Sequence, residues 1–135
     1  MSTKCAFIGL GVMGYPMAGH LQQAGFATTV YNRTTAKAQK WAQTYHGEYA
    51  ETPAMAAANA NFVMLCVGND DDVRSVVYGD DGVLASMKAG TVLIDHTTAS
   101  AELAKELAQA CHERGIGFLD APVSGGQQGA ESGVL

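Results

Sequence analysis

Basic residues are scarce in this chain: eight lysines and arginines stand against thirteen acidic residues, a net charge of −5. A surface of that sign argues against a nucleic-acid partner or an anionic membrane, and leaves only a local basic pocket as a place to hold phosphate. Prolines number three, too few for a linker or low-complexity chain. The three cysteines, Cys5, Cys66 and Cys111, are widely spaced with no C-x-x-C, so neither a disulfide framework nor a zinc motif is expected. Cys5 and Cys66 lie inside apolar runs, where a thiol is an ordinary core residue. No apolar run approaches the ~20 residues of a membrane span, and no charged and apolar leader opens the N-terminus. A soluble, cytoplasmic, single-domain α/β chain is the expectation.

What the chain has in quantity is glycine, sixteen of them, fit for many tight strand–helix turns. The stretch that organises the rest is Gly9-Leu10-Gly11-Val12-Met13-Gly14, a G-x-G-x-x-G. A short apolar run, Lys4 to Ile8, feeds it, and a helical pattern follows from Val12 to about Ala24. In a dinucleotide site the three glycines act differently. Gly9 makes the turn out of the strand, Gly11 lets a pyrophosphate approach the backbone, and Gly14 lets helix and strand pack closely. The helix N-terminus then offers free N–H groups and a positive dipole end to the phosphates. A glycine turn without a ligand would read the same, so the flanks decide.

Thr28 to Tyr31 is the second strand, and its end is where a dinucleotide fold meets the adenosine ribose. A carboxylate there would bind the ribose 2′-hydroxyl. This chain has Asn32, Arg33 and Thr34 instead. An arginine can clamp a 2′-phosphate with charge-assisted bonds, which favours NADP, while NAD stays open because arginine also stacks on adenine. Thr34 or Thr35 caps a helix to about Tyr45, with Ala38, Trp41, Ala42 and Tyr45 on one face. Glu48 to Ala50 is a short third strand, and Thr52-Pro53 begins an alanine-rich helix to Ala60.

Phe62 to Val67 is a continuous apolar run, suited to a central parallel strand covered on both faces. The acidic run Asp70-Asp71-Asp72 lacks calcium-loop spacing and reads as the start of a helix through Val77, not as a metal site. Thr91 to Asp95 is the next strand. His96 follows Asp95 directly, and strand neighbours point to opposite faces, so no acid/base pair is implied. Ser100 caps a helix from Ala101 to Arg114 carrying Leu103, Leu107 and Ala110. Gly115 to Asp120 is the sixth strand, followed by a glycine loop in which Ser124 and the N–H groups of Gly125 and Gly126 can form an anion nest. The alternation predicts a doubly wound parallel sheet in the order 3-2-1-4-5-6, with Gly9 to Gly14, Arg33, Val67-Gly68, Thr98 and Ser124 on one edge.

Two stretches then resemble the β-hydroxyacid dehydrogenase family, which includes 3-hydroxyisobutyrate dehydrogenases and glyoxylate or semialdehyde reductases. Gly9 to Ala18 is similar to its cofactor signature, and Asp120-Ala121-Pro122-Val123-Ser124-Gly125-Gly126 with Gly129, Ala130 and Gly133 is similar to its substrate loop. The resemblance implies a Rossmann domain that places Val67 and Gly68 beside the cofactor and Thr98 at the nicotinamide end. It assigns a substrate carboxylate to Ser124, Gly125 and Gly126, and matches Asn32-Arg33-Thr34 to the members that prefer NADP. The family's catalytic lysine and all-helical domain would lie beyond Leu135, so this chain is expected to bind cofactor and to turn over hydroxyacid or semialdehyde poorly on its own. Self-association is expected only of a longer protein. A dinucleotide-binding module without catalysis and an imine reductase-like domain are the alternatives.

Overall fold

Short β-branched and aliphatic runs bounded by glycine, asparagine and aspartate become the strands of one sheet. The computed structural model describes residues 3–123 and 126–133. The strands are β1 (Lys4–Ile8), β2 (Ala27–Tyr31), β3 (Glu48–Tyr49), β4 (Phe62–Leu65), β5 (Val92–Asp95) and β6 (Gly117–Asp120). The helices are α1 (Gly14–Gln23), α2 (Thr35–Tyr45), α3 (Pro53–Ala57), α4 (Asp70–Val77), α5 (Ala101–His112) and α6 (Gly126–Ser132). All strand pairs are parallel, in the order β3-β2-β1-β4-β5-β6. That is the order expected from the alternation of strands and helices. Its consequence is geometric: the chain winds outward in both directions from β1 and β4, and the helices leaving these two strands part to open a crevice at their carboxyl ends.

Alternate side chains of the central strands build a core on each face. Ala6, Ile8, Val63, Leu65 and Leu93 pack under α3, α4 and α5. Phe7 and Val30 point the other way, to Ala18 of α1 and to Ala38 and Trp41 of α2. The caps expected at Thr52 and Ser100 are formed, and Asn69 takes the place on α4 where an acidic cap was expected. The expected threonine cap of α2 is not made, since Thr34 forms no side-chain cap bond. The Thr52 hydroxyl accepts from the Met55 N–H, Asn69 from Asp72, and Ser100 from Leu103. Asn69 thus caps α4, and the three aspartates fill its first turn.

The structure differs from the sequence expectation at element ends. The first helix begins at Gly14 rather than Val12, because residues 11–13 form the turn. β4 ends at Leu65 rather than Val67, because the Val67 N–H leaves the sheet ladder for the Thr97 hydroxyl. α3 stops at Ala57, short of Ala60, and β6 starts at Gly117, not Gly115. The largest difference is α6. A glycine-rich loop was expected there, yet Gly126–Ser132 is helical and docks on α1, where the His20 ring nitrogen Nε2 meets the carbonyls of Ala130 and Glu131 at 2.8 and 3.1 Å. Tertiary contact overrides the poor helix propensity of its glycines.

Candidate cofactor site

The crevice is a cleft of about 730 Å³ lined by the whole Gly9 to Gly14 turn, by Asn32, Arg33 and Thr34, and by Val67 and Gly68. Twelve site residues were expected to share a cofactor, and eleven of them line this one cleft; the exception is Thr98. The volume falls within the ~300–1,000 Å³ of small-molecule sites.

The three glycines divide the work as the motif requires. Gly9 has φ of +104°, a left-handed conformation, and a Cβ there would run into the Cys66 backbone carbonyl. A Cβ on Gly14 would strike the Gly9 carbonyl and come within 3.1 Å of the Phe7 ring, so this glycine lets α1 start against β1. Gly11 is different: a Cβ there meets nothing within 4 Å, leaving the backbone open to the cleft. The Gly9 N–H is bonded to the Tyr31 carbonyl, and the Leu10 N–H to Asn32 Oδ1. Among the described residues, no partner takes the N–H groups of Gly11, Val12, Met13 or Gly14. Free donors in an open turn at a helix N-terminus form a cradle that fits a diphosphate.

Side chains at the end of β2 are arranged less simply than the sequence implies. Asn32 stands where a ribose-binding carboxylate was to be compared. Its carboxamide is committed to the turn, accepting from Leu10 at 3.0 Å and donating to the Thr34 carbonyl at 3.2 Å. It therefore holds the glycine turn against β2. Among the described residues, Arg33 is the only basic one lining the cleft, and its guanidinium is paired with Asp72 of α4 at 2.9 Å. Sequence reading missed Asp72 as a site residue: it lies 39 positions from Arg33, and only the topology brings them together.

At the other end of the cleft the buried anchor is Thr97, one residue before the expected Thr98. Its hydroxyl accepts from the Val67 N–H at 3.0 Å, while its own N–H donates to Asp95 Oδ1 at 2.9 Å. Thr98 is exposed and lines a shallower groove that shares Gly68 with the main cleft and includes Asn69, Asp70 and Ser100. Asp70 ties that groove together: it accepts from the Ser100 N–H and hydroxyl, which hold its carboxyl below the usual range. His96 bonds through Nδ1 to the Ala121 carbonyl at 2.8 Å, which ties the end of β5 to the segment after β6. Cys66 lines the cleft, but burial, with the Asp95 charge adding to it, pushes its thiol up and keeps it a poor nucleophile. Among the described residues, no cluster of three metal-ligating side chains occurs.

Asp95 is 2% exposed. Burial raises its carboxyl above the ordinary aspartate range; the Thr97 amide and hydroxyl pull the other way, and Asp120, opposite in register on β6, adds to the rise. With the folded pKa above the unfolded one, the stability from this group is complete below the unfolded aspartate value of about 3.9. It is lost as pH rises through the folded value. Asp95→Asn keeps an acceptor for the Thr97 N–H and removes the buried charge. Thermal melts are expected to show a variant several degrees more stable than the parent at pH 7, the gap closing toward pH 4.

Of the expected substrate loop, Ser124 and Gly125 lie outside the described residues. Gly126 opens α6 with φ of +64° and does not line the cleft.

Residues 4–135 match the family model described as the NAD binding domain of 6-phosphogluconate dehydrogenase. An uncharacterized oxidoreductase of Shewanella frigidimarina (strain NCIMB 400) is 58% identical over 133 residues, covering 98% of this chain and 46% of the relative. A probable mitochondrial 3-hydroxyisobutyrate dehydrogenase-like protein of Arabidopsis thaliana is 41% identical, covering 98% of this chain and 44% of the relative. Among solved structures, the 3-hydroxyisobutyrate dehydrogenase of Mycobacterium tuberculosis with L-serine superposes with a TM-score of 0.87 at 32% identity, over 98% of this chain and 44% of that one. The chain spans less than half the length of these relatives.

Proposed function

The chain belongs to the family of NAD binding domains of 6-phosphogluconate dehydrogenase, with 3-hydroxyisobutyrate dehydrogenase-like relatives, and from that premise we propose that it is the NADP-binding domain of an oxidoreductase acting on a small hydroxyacid or semialdehyde. One observation carries the choice of NADP. The only basic side chain lining the cleft among the described residues, Arg33, stands between Asn32 and Thr34 at the end of β2, where an NAD site has a carboxylate. The bound nicotinamide supplies or accepts a hydride. The free N–H groups of Gly11 to Gly14 hold the diphosphate, Arg33 and Thr34 the 2′-phosphate, and Val67 and Gly68 flank the cofactor on the way to Thr98. By the family resemblance, Ser124, Gly125 and Gly126 take the substrate carboxylate.

Reduction of a carbonyl leaves an alkoxide that needs a proton donor within hydrogen-bond reach. No lysine or histidine lines the cleft among the described residues. That lining favours a second reading for these 135 residues taken alone: dinucleotide binding without turnover. The acidic net charge supports a small-molecule partner rather than nucleic acid.

Calorimetric titration with NADPH and NADH tests the assignment. Arg33→Ala is expected to weaken NADPH about tenfold or more, as for loss of a charge-assisted contact, and to leave NADH within about threefold. Equal binding of the two cofactors by the parent chain, or equal loss of both in the variant, would overturn the NADP reading.

A further inference from the structure

The Arg33 guanidinium that is to receive the 2′-phosphate already has an anionic partner. Asp72 is fixed in the first turn of α4 by its own N–H, which donates to Asn69 Oδ1 at 2.9 Å, and by its carbonyl, which accepts from the Ser75 hydroxyl at 2.7 Å. Its carboxylate reaches back over Gly68, where a Cβ would collide with Oδ2, and across the cleft to Arg33. The two ends of this bridge are unequal. The Arg33 side chain is 79% exposed and the Asp72 side chain 29%, so the carboxylate is the anchored end and the guanidinium the movable one. Glu51 and Asp81 also line the cleft, so that among the described residues Arg33 is the sole cation with three acids.

Resting on the NADP reading above, we propose that Asp72 is a specificity-determining residue: its carboxylate competes with the 2′-phosphate for Arg33 and holds the preference for NADPH over NADH below what Arg33 alone would give. A dianionic phosphate arriving at the end of β2 meets a guanidinium whose charge is already matched. It must either displace Asp72 or share the guanidinium with it at the cost of like-charge repulsion. NADH, with a neutral 2′-hydroxyl, meets no such competition. The bridge also joins α4 to the turn after β2 across the mouth of the cleft, so its opening is coupled to whichever cofactor takes the guanidinium.

The test is titration of this chain and of Asp72→Asn with NADPH, NADH, adenosine 2′,5′-bisphosphate and AMP. The variant is expected to bind NADPH and adenosine 2′,5′-bisphosphate roughly five- to tenfold tighter, with NADH and AMP within about twofold, as for relief of one partly screened charge interaction. Asp72→Ser removes the same charge with a shorter side chain and is expected to act alike, which guards against a folding defect in either variant. Unchanged or weaker NADPH binding in both variants would overturn the proposal and make Asp72 a residue that merely orients Arg33. The Arg33→Ala titration separates the two levels. If it leaves the NADPH-to-NADH ratio unchanged, the NADP reading itself fails; if it lowers the ratio while the Asp72 variants do not raise it, only the role of Asp72 fails.

Discussion

Gly9→Ala is expected to lower the melting temperature by roughly 10 °C or more and to abolish dinucleotide binding with it. Two costs add. The φ of +104° is a region where an L-residue pays about 1–2 kcal/mol, and the new methyl would meet the Cys66 carbonyl, which is backbone and cannot rotate away. Cys66 is held in place by its own N–H, which bonds to the Ile8 carbonyl at 2.9 Å, so relief would pull β1 and β4 apart. A total of about 3 kcal/mol or more is a large part of the ~5–15 kcal/mol that keeps a domain folded. Gly11→Ala is the control. Its methyl meets nothing within 4 Å, and the melting temperature is expected to stay within about 2 °C while affinity for either dinucleotide falls. Far-UV circular dichroism melts set beside calorimetric titrations separate the two effects. Equal stability of the two variants would show that the turn is not built as described.

Trp41→Ala carries the second large effect, about 3–5 kcal/mol of lost stability. The ring is fully buried, packs at a tilt against Tyr45 with centroids 5.5 Å apart, and donates from Nε1 to the Tyr15 carbonyl at 3.2 Å. A Cβ on Gly47 would run into the same ring, so the chain between α2 and β3 is shaped around it. Truncation leaves a cavity between α1 and α2 and removes the Nε1–H bond to the first turn of the helix that offers its N-terminus to the cofactor. Urea denaturation is expected to show the midpoint fall with the slope little changed. Trp41→Phe, which fills most of the volume and loses only the N–H bond, is expected to recover more than half of the loss. A loss below about 1 kcal/mol for Trp41→Ala would mean that α2 is not held through this residue.

Much of the architecture was legible because it rests on local pattern. Strand-length apolar runs separated by helical periodicity leave few topologies, and right-handed crossovers reduce them to the observed order. The glycine positions were legible for the same reason, since each constraint is set by the chain within a few residues of itself. Element ends were less so. The Val67 N–H could bond onward in the sheet or to a hydroxyl 30 residues away, and nothing local decides between them. α6 was invisible because Gly126, Gly129 and Gly133 punctuate the stretch, and its helical state is supported by contact with α1.

The candidate site divides along the same line. Sequence alone determined that a G-x-G-x-x-G turn leads from β1 into a helix, and that an arginine rather than a carboxylate follows β2. These are local facts of backbone conformation and residue identity. Only the tertiary structure decided what those residues have for partners. Asn32 turns inward to hold Leu10, Thr97 rather than Thr98 anchors Val67, and Asp72 closes on Arg33. Each of these contacts joins residues 22 to 39 positions apart. Their geometry is set by how far β1, β4 and β5 carry their loops to one edge of the sheet, a distance that no short stretch of sequence encodes.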